Sequence, residues 1–132
     1  MIRSGFTLIE LLIVLALIGI LGLITYPSYN NHLIKVRRVH MVALLLDVAT
    51  NLEEYHALHG TYKTANIKDL TPNAILYDKY YKLNINLDDS SYTLQATPIN
   101  TQEKDTLCGT LTLDQNGKKS ISGDEADVMR CW

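Results

Sequence analysis

Near its N-terminus the chain reads Gly5-Phe6-Thr7-Leu8-Ile9-Glu10, and an apolar run of mostly leucine, isoleucine and valine follows from Leu11 to Ile24. Between Leu11 and Ile34 there is no Asp, Glu, Lys or Arg. A helix of this length and composition can cross the roughly 30 Å of hydrocarbon in a bilayer. The run therefore predicts a helix that a membrane or a bundle of apolar helices must receive.

Glu10 is the exception in this apolar region. An ionised carboxylate costs roughly 2.5–3.5 kcal/mol at the centre of a membrane helix and less near its end, so it requires a partner. On its N-terminal side the nearest basic side chain is Arg3. Cleavage after Gly5 would give Phe6 a cationic α-amino group about one helical turn from Glu10, in the same chain or in a neighbouring copy. This spacing predicts an ion pair between subunits.

The stretch from Gly5 to Glu10, with the apolar run behind it, resembles the class III signal of type IV pilins. The resemblance implies that a prepilin peptidase cleaves between Gly5 and Phe6 and N-methylates Phe6. It also implies that Glu10 guides docking of the subunit into a helical filament. One feature departs from the family pattern, because Ser4 separates the basic Arg3 from Gly5.

Two other kinds of N-terminal segment have a similar composition. An ordinary signal peptide would carry its cleavage site after the apolar core, where no A-x-A-like site precedes Tyr26. A plain single-pass anchor is the stronger alternative. Whether the segment is a pilin signal or a plain anchor, Arg3 on its short N-terminal flank favours a head outside the cytoplasm. The resemblance implies residence in the inner membrane before assembly and in an extracellular pilus fibre afterwards.

Three segments divide the 132 residues: a leader over 1–5, a hydrophobic transmembrane and assembly helix over 6–32, and a head over 33–132. Pro27 lacks a backbone N–H and clashes with the carbonyl four residues back, which predicts a local kink or melting of the helix. Type IV pilins commonly carry a proline at this distance from the mature N-terminus, and in filaments the segment before it can unwind.

From Leu33 to His59 the three- and four-residue spacing of apolar positions predicts an amphipathic helix that packs on the head. The predicted buried stripe consists of Leu33, Val36, His40, Leu44, Val48, Leu52 and Tyr55, widened by Val39, Ala43 and Leu45. Gly60 is a suitable C-cap. A loop-rich connection over 61–80 follows, with a short helical turn predicted around Ile67–Leu70.

Alternating apolar residues then predict four strands. They comprise Tyr80–Leu87, a strand through Tyr92, Leu94 and Ala96, a strand through Leu111 and Leu113, and Lys118–Ser122, with turns at Asp88–Ser91 and Asp114–Gly117 and a polar loop at Asn100–Thr106. The predicted fold class is α+β, a long N-terminal helix whose C-terminal half packs on a roughly four-stranded antiparallel β-meander. The pilin resemblance implies the same fold, with a C-terminal loop tied back by a disulfide.

Cys108 and Cys131 can supply one bridge. It would close a loop of about two dozen residues, for which loop-closure entropy suggests roughly 3–4 kcal/mol. A small head has a thin core, so such a bridge would help. Disulfides persist outside the cytoplasm, and the alternative is two free thiols.

The charges of the chain nearly cancel, with 14 acidic and 12 basic residues. This balance implies no bulk attraction to nucleic acid or to anionic membrane. Local asymmetry exists, because Lys35, Arg37, Arg38 and His40 form a basic collar just beyond the apolar run. The collar is placed to meet lipid head groups or neighbouring subunits.

Lys118 and Lys119, together with Lys104, Lys63 and Arg130, can form a DNA-contacting strip on the head, and many copies in a filament would amplify weak phosphate contacts. The preferred interpretation is an exposed lysine-rich strand that discourages edge pairing. The segment from Cys108 to Lys119, with the final Cys131-Trp132, resembles the smaller PilE-like type IVa pilins, including minor pilins that are DNA receptors.

Neither a metal site nor a catalytic site is predicted. Candidate ligands are His56 and His59 beside Glu53, and the acidic group Asp124, Glu125 and Asp127, the latter because related type II secretion pseudopilins bind calcium. Solvated surface is the preferred interpretation of both groups. No set of nucleophile, base and orienting acid suggests itself, so neither an enzyme nor a cofactor is predicted.

The sequence as a whole predicts a structural subunit of a type IV pilus. Its implied partners are prepilin peptidase, the inner membrane, the pilus assembly machinery and other pilin subunits, in a fibre that serves adhesion, twitching motility or DNA uptake. The alternatives are a minor pilin that binds DNA in competence and a type II secretion pseudopilin.

Overall fold

The computed structural model describes residues 5–72 and 79–132. The leader prediction for residues 1–4 and the loop prediction for residues 73–78 therefore lie outside the described residues. The chain divides into two compact units, residues 1–33 and residues 34–132.

Helix α1 runs from Leu8 to His59 over 52 residues and contains Pro27. The melting predicted at Pro27 is not observed, because the residues on both sides of it are helical. A proline removes one backbone hydrogen bond, and the bonds of the neighbouring turns sustain the helix around it.

Within residues 34–132, one side of α1 forms the base of the core. Its buried residues are Met41, Leu44, Leu45, Val48 and Leu52. The amphipathic prediction is confirmed for the last four, but Met41 was missed and His40, Val39 and Ala43 are exposed. At about 100° per residue, Val39 and Ala43 lie opposite a stripe centred on Met41 and Leu45, so the predicted stripe was too wide.

The predicted end of α1 is confirmed. Gly60 adopts a φ of 75°, and its N–H donates to the carbonyl of His56 over 2.7 Å. Only glycine adopts this left-handed conformation without a steric cost, so the helix ends here. The predicted helical turn is also present as α2, Ile67–Leu70, whose N-cap Asn66 accepts from the Lys68 N–H.

Four antiparallel strands form one sheet, in which they lie in chain order. Their bounds are β1 Tyr81–Leu87, β2 Tyr92–Pro98, β3 Leu111–Asp114 and β4 Lys119–Ile121. The four predicted strands and their meander order are confirmed. Ile85 pairs with Leu94 and Leu94 with Leu113, so apolar residues of neighbouring strands share the face that packs in the core.

The tight turn between β3 and β4 is built by Asp114. Its Oδ1 accepts the backbone N–H groups of Asn116 at 2.9 Å and Lys118 at 3.0 Å. Gly117 provides the positive φ of 73° that the turn requires. This turn holds the backbone at Lys118 while its side chain stays exposed.

The connection between β2 and β3 is more ordered than predicted. It contains a 3-10 helix, Asn100–Lys104, and Gln102 is fully buried rather than part of a polar loop. The amide of Gln102 donates to the carbonyl of Ile34 at 3.0 Å and to the hydroxyl of Tyr81 at 2.9 Å. This side chain therefore fastens the connection to both α1 and β1.

Two arginines of the predicted basic collar, Arg37 and Arg38, contact other residues of the head. Arg38 Nη1 contacts both carboxylate oxygens of Asp105 at 2.6 and 2.7 Å, and the two side chains are 12% and 4% exposed. The guanidinium of Arg37 lies 3.9 Å from the ring centroid of Tyr80. The collar prediction is therefore wrong for Arg38, whose largely buried charge is paired within the head, whereas Arg37 is half-buried.

The predicted disulfide is confirmed. Cys108 and Cys131 are bonded with a Cα–Cα distance of 5.7 Å, and both are 3% exposed. The bond holds the C-terminal segment against the start of β3. As a result Trp132 reaches β4, where its indole N–H donates to the carbonyl of Ser120 at 3.3 Å.

Tyr81→Phe tests the pH dependence of the core. Burial raises the pKa of Tyr81 to about 12, although the hydrogen bond from Gln102 opposes the shift. In the unfolded chain a tyrosine ionises near pH 10, so the stability contributed by the protonated hydroxyl is complete below pH 10 and is lost as pH rises towards 12. At pH 8 the variant should be less stable by about 1 kcal/mol, because it loses one hydrogen bond.

At pH 11 the difference in free energy of unfolding between Tyr81→Phe and the parent should be smaller. At this pH ionisation of Tyr81 stabilises the unfolded state of the parent, whereas phenylalanine cannot ionise. Chemical denaturation of the full chain in detergent at both pH values measures it. An equal gap at pH 8 and pH 11 would contradict the assignment.

Asp105→Ala should lower the free energy of unfolding by about 3 kcal/mol, because Arg38 is left as a buried charge without its counterion. The double variant Arg38→Met/Asp105→Leu should cost less than Asp105→Ala alone. Denaturant unfolding measures both.

Glu125→Ala is the matched control. Its ion pair with Arg130 spans 3.5 Å and the Arg130 side chain is 71% exposed, so the free energy of unfolding should fall by less than about 1 kcal/mol. Equal costs for Asp105→Ala and Glu125→Ala would refute the argument.

Candidate functional site

The predicted processing bond lies just ahead of α1. Gly5, Phe6 and Thr7 are non-helical and exposed, and the helix begins at Leu8. Phe6 is 78% exposed. A bond in an exposed, non-helical segment is accessible to a peptidase, as cleavage between Gly5 and Phe6 requires.

Glu10 has a local partner, Thr7, in addition to the predicted partner in a neighbouring subunit. Its Oε2 accepts the backbone N–H of Thr7 at 2.9 Å and the Thr7 hydroxyl at 2.9 Å. In return, the Glu10 N–H donates to Thr7 Oγ1 at 3.4 Å. This reciprocal arrangement is a capping box, and the Thr-x-x-Glu spacing that signals it is visible in the sequence. Glu10 therefore stabilises the first turn of α1 before any neighbouring subunit is considered.

The first unit of the chain is apolar on all sides. Every large apolar side chain from Phe6 to Ile24 is exposed. Within the described ranges α1 is the helix long and apolar enough to cross a membrane, and its most apolar 18-residue window has a mean hydropathy of 2.8. A surface of this size marks contact with lipid or with other apolar helices.

Lys118 and Lys119, the candidate DNA contacts, have different surroundings. Lys118 is exposed at the end of the turn that precedes β4, whereas Lys119 is half-buried. The Lys119 ammonium lies 5.6 Å from the ring centroid of Trp132, a distance at which cation and ring attract each other. The disulfide between Cys108 and Cys131 brings Trp132 here, and no local sequence pattern links Trp132 to Lys119.

Two other cations of the proposed strip, Lys104 and Lys63, lie at different ends of the sheet. Lys104 ends the 3-10 helix ahead of β3, whereas Lys118 follows the turn at the opposite end of that strand. Lys63 lies in the segment after α1, near the turn between β1 and β2, because Thr61 donates to Asp89. Thr93 at the start of β2 pairs with Asp114 at the end of β3, so the turn near Lys63 and the turn before Lys118 lie at the same end of the sheet, whereas Lys104 lies at the other end.

The candidate metal ligands have other contacts. The His56 ring stacks on Tyr62 and the His59 ring stacks on Tyr55, with centroids 4.2 and 4.0 Å apart. Asp127 caps the 3-10 helix Val128–Arg130 by accepting from the Met129 N–H. In the part of the chain that the structure describes, no group of three or more His, Cys, Asp or Glu residues is arranged to hold a metal ion.

Glu53 instead belongs to an aromatic group at the end of α1. Its carboxylate accepts the Tyr62 hydroxyl at 3.1 Å, and the Tyr62 ring meets Tyr92 edge to face at 5.0 Å. Burial, followed by the hydrogen bond and charge of Glu53, raises the pKa of Tyr62. These contacts stabilise the segment that leaves α1.

Comparison with known families gives two matches that adjoin at Pro27. A family model described as "Type IV minor pilin ComP, DNA uptake sequence receptor" matches residues 27–112. A second, described as "Prokaryotic N-terminal methylation motif", matches residues 1–26.

Curated relatives include pilus subunits. The "Type IV major pilin protein PilE1" of Neisseria gonorrhoeae is 30% identical over 83 residues, which cover 61% of this chain and 50% of that protein. The "Fimbrial protein EcpB" of Eikenella corrodens is 41% identical over 64 residues, which cover 48% of this chain and 40% of that protein. The chain thus spans half or less of the length of these relatives.

Two solved structures share the fold. The non-core minor pilin PilV of Neisseria meningitidis aligns with a TM-score of 0.56 at 28% identity, covering 74% of this chain and 94% of that one. A type IV pilin from Shewanella oneidensis aligns with a TM-score of 0.53 at 26% identity, covering 75% and 97%.

Proposed function

Because this chain belongs to the type IV minor pilin family described as ComP, we propose that it is a subunit that enters a type IV pilus through the N-terminal part of α1. The observation that carries this proposal is the apolar surface exposed from Phe6 to Ile24. In the filament, neighbouring helices keep this surface out of water, and close packing between the helices contributes van der Waals attraction. Before assembly, lipid covers the same surface.

Processing at Gly5 would supply the missing cation. The new α-amino group of Phe6 would stand next to Thr7, whose N–H and hydroxyl already bind Glu10 Oε2. Both of these bonds end on Oε2, so Oε1 can accept from the Phe6 amine of a neighbouring subunit. A charge pair of this kind fixes the docking register, while the apolar surface provides most of the attraction.

The proposed membrane topology follows from the same segment. Residues 6–32 cross the inner membrane once, and residues 33–132 stay outside the cytoplasm, where the Cys108–Cys131 bond persists. Prepilin peptidase and the pilus assembly machinery are the partners that the processing step and the polymerisation step require.

Glu10→Val and Glu10→Gln separate the two roles of this carboxylate. Glutamine can preserve the capping box but carries no charge, whereas valine removes both. If the subunit pair is ionic, both variants should stay in the membrane fraction and fall at least about tenfold in the sheared pilus fraction, because the docking cation loses its counterion. Immunoblots of the two fractions measure this.

Thr7→Ala is the matched control for the capping box, because it removes the threonine hydroxyl and keeps the charge of Glu10. Incorporation of this variant should stay within about twofold of the parent, since a helix cap contributes about 1 kcal/mol to the helix alone. Normal incorporation of Glu10→Gln would refute the ionic role and leave Glu10 as a cap only.

DNA binding is the second candidate function, and the family description favours it because it names a DNA uptake sequence receptor. In this chain the contacting residues would be Lys118 and Lys119. Lys118 is exposed, and Lys119 lies beside the ring of Trp132. A cation next to an aromatic face can combine a phosphate contact with stacking on a base.

Lys118→Ala/Lys119→Ala should weaken binding of the full chain to duplex DNA. It should also make the negative slope of log K against log salt shallower by about 2, because each phosphate contact contributes about 0.9 to its magnitude. Fluorescence anisotropy at several salt concentrations measures both quantities. Lys68→Ala/Lys82→Ala, two exposed lysines outside the predicted strip, is the control and should leave the slope unchanged. The same loss in both double variants would mean that the net charge of the head, rather than this site, attracts DNA.

A further inference from the structure

Two open grooves border α1 within the head, and their charges are opposite. The first, about 340 Å³ in volume, is lined by Lys35, Arg38, Val39, Val42, Arg130 and Trp132 and is called the basic groove. The second, about 300 Å³, is lined by Asn51, Glu54, Tyr55, Leu58, Asp69 and Leu70 and is called the acidic groove.

Lys35 and Arg130 set the charge of the basic groove, because Asp105 neutralises Arg38. Lys35 is exposed, and the Arg130 side chain is 71% exposed although it lies 3.5 Å from Glu125. Between these cations Val39 is 63% exposed. The groove therefore combines an apolar surface with a cationic rim.

The acidic groove has the complementary composition. Glu54 and Asp69 are exposed, and no basic side chain occurs among the described residues that line it. At its edge Leu58 is 76% exposed. A projecting leucine flanked by carboxylates suits a groove that has an apolar surface flanked by cations.

The two grooves cannot meet within one head. Their α1 residues are centred about 16 positions apart, which is about 24 Å at 1.5 Å per residue, and at about 100° per residue they face nearly opposite sides of the helix. Two copies displaced along the helix axis can bring them together. We propose that the basic groove of one copy receives the Glu54–Leu58 edge of a second copy.

This contact is heterologous, so each copy keeps one groove free and the association continues into an open filament. The proposal rests on the proposed function, since a filament is the assembly in which such a contact repeats. Burial of Leu58 against Val39 and Trp132 provides the attraction, and the charges fix the register because exposed ion pairs contribute little energy. DNA is the competing occupant of a basic groove, but it leaves the acidic groove unexplained.

Cysteine cross-linking tests the contact in the full chain. Val39→Cys and Leu58→Cys variants are expressed together and treated with a short bis-maleimide, in membranes and in sheared pili. The native cysteines are bonded to each other, so only the introduced thiols react. The mixture should give a cross-linked dimer, and each variant alone should not. Asn84→Cys, on the exposed side of β1, is the control partner for Leu58→Cys and should give none.

Charge reversal then tests the pairing. Lys35→Glu added to the Val39→Cys chain, or Glu54→Lys added to the Leu58→Cys chain, should reduce the dimer about fivefold, and both changes together should restore it. Lys82→Glu, at an exposed position on β1, should have no effect. If each single charge reversal lowers the yield of the cross-linked dimer and the two together do not restore it, the proposed pairing is wrong.

The outcomes separate this inference from the proposed function. A chain that reaches sheared pili without any dimer between positions 39 and 58 refutes the groove contact alone. A dimer in membranes with no chain in sheared pili refutes the pilus role and leaves the contact standing. Absence of the dimer together with weaker duplex DNA binding by Lys35→Glu would assign the basic groove to DNA and overturn the inference.

Discussion

An apolar helix surface that its own chain leaves exposed is the constraint on which this protein depends. From Phe6 to Ile24 every large apolar side chain is exposed, and such a surface is stable only in lipid or against other helices. The head from Ile34 onwards forms its own core. One part of the chain therefore exposes its apolar surface, whereas the other part buries its own.

Glu10 is the charged side chain at the start of this apolar surface. Its bonds to Thr7 are local and satisfy part of its hydrogen-bonding capacity in a single chain. This lowers the penalty of keeping a carboxylate near the end of a membrane helix, without giving it a counterion. A local cap is therefore compatible with the proposed partner from another subunit, which would add a specificity to assembly that apolar contacts lack.

The head compensates for its size with polar and covalent links between distant segments. The Cys108–Cys131 bond, the Arg38–Asp105 pair and the Gln102 hydrogen bonds all join parts of the chain that are far apart in sequence. Together they surround a core of one helix side and one sheet face. Small cores supply limited free energy, so such links have a large influence on whether the head stays folded.

The sequence by itself determined the features that depend on local pattern: the apolar run, the end of α1 at Gly60 and the alternating strands. These follow from side-chain periodicity and from backbone freedom at single residues. Only the tertiary structure decided that Arg38 pairs with Asp105, that Gln102 is buried and that Trp132 lies beside Lys119. Arg38 and Asp105 are 67 positions apart, and no local pattern records which distant groups meet. Their encounter depends on how the sheet and the disulfide close the chain onto α1.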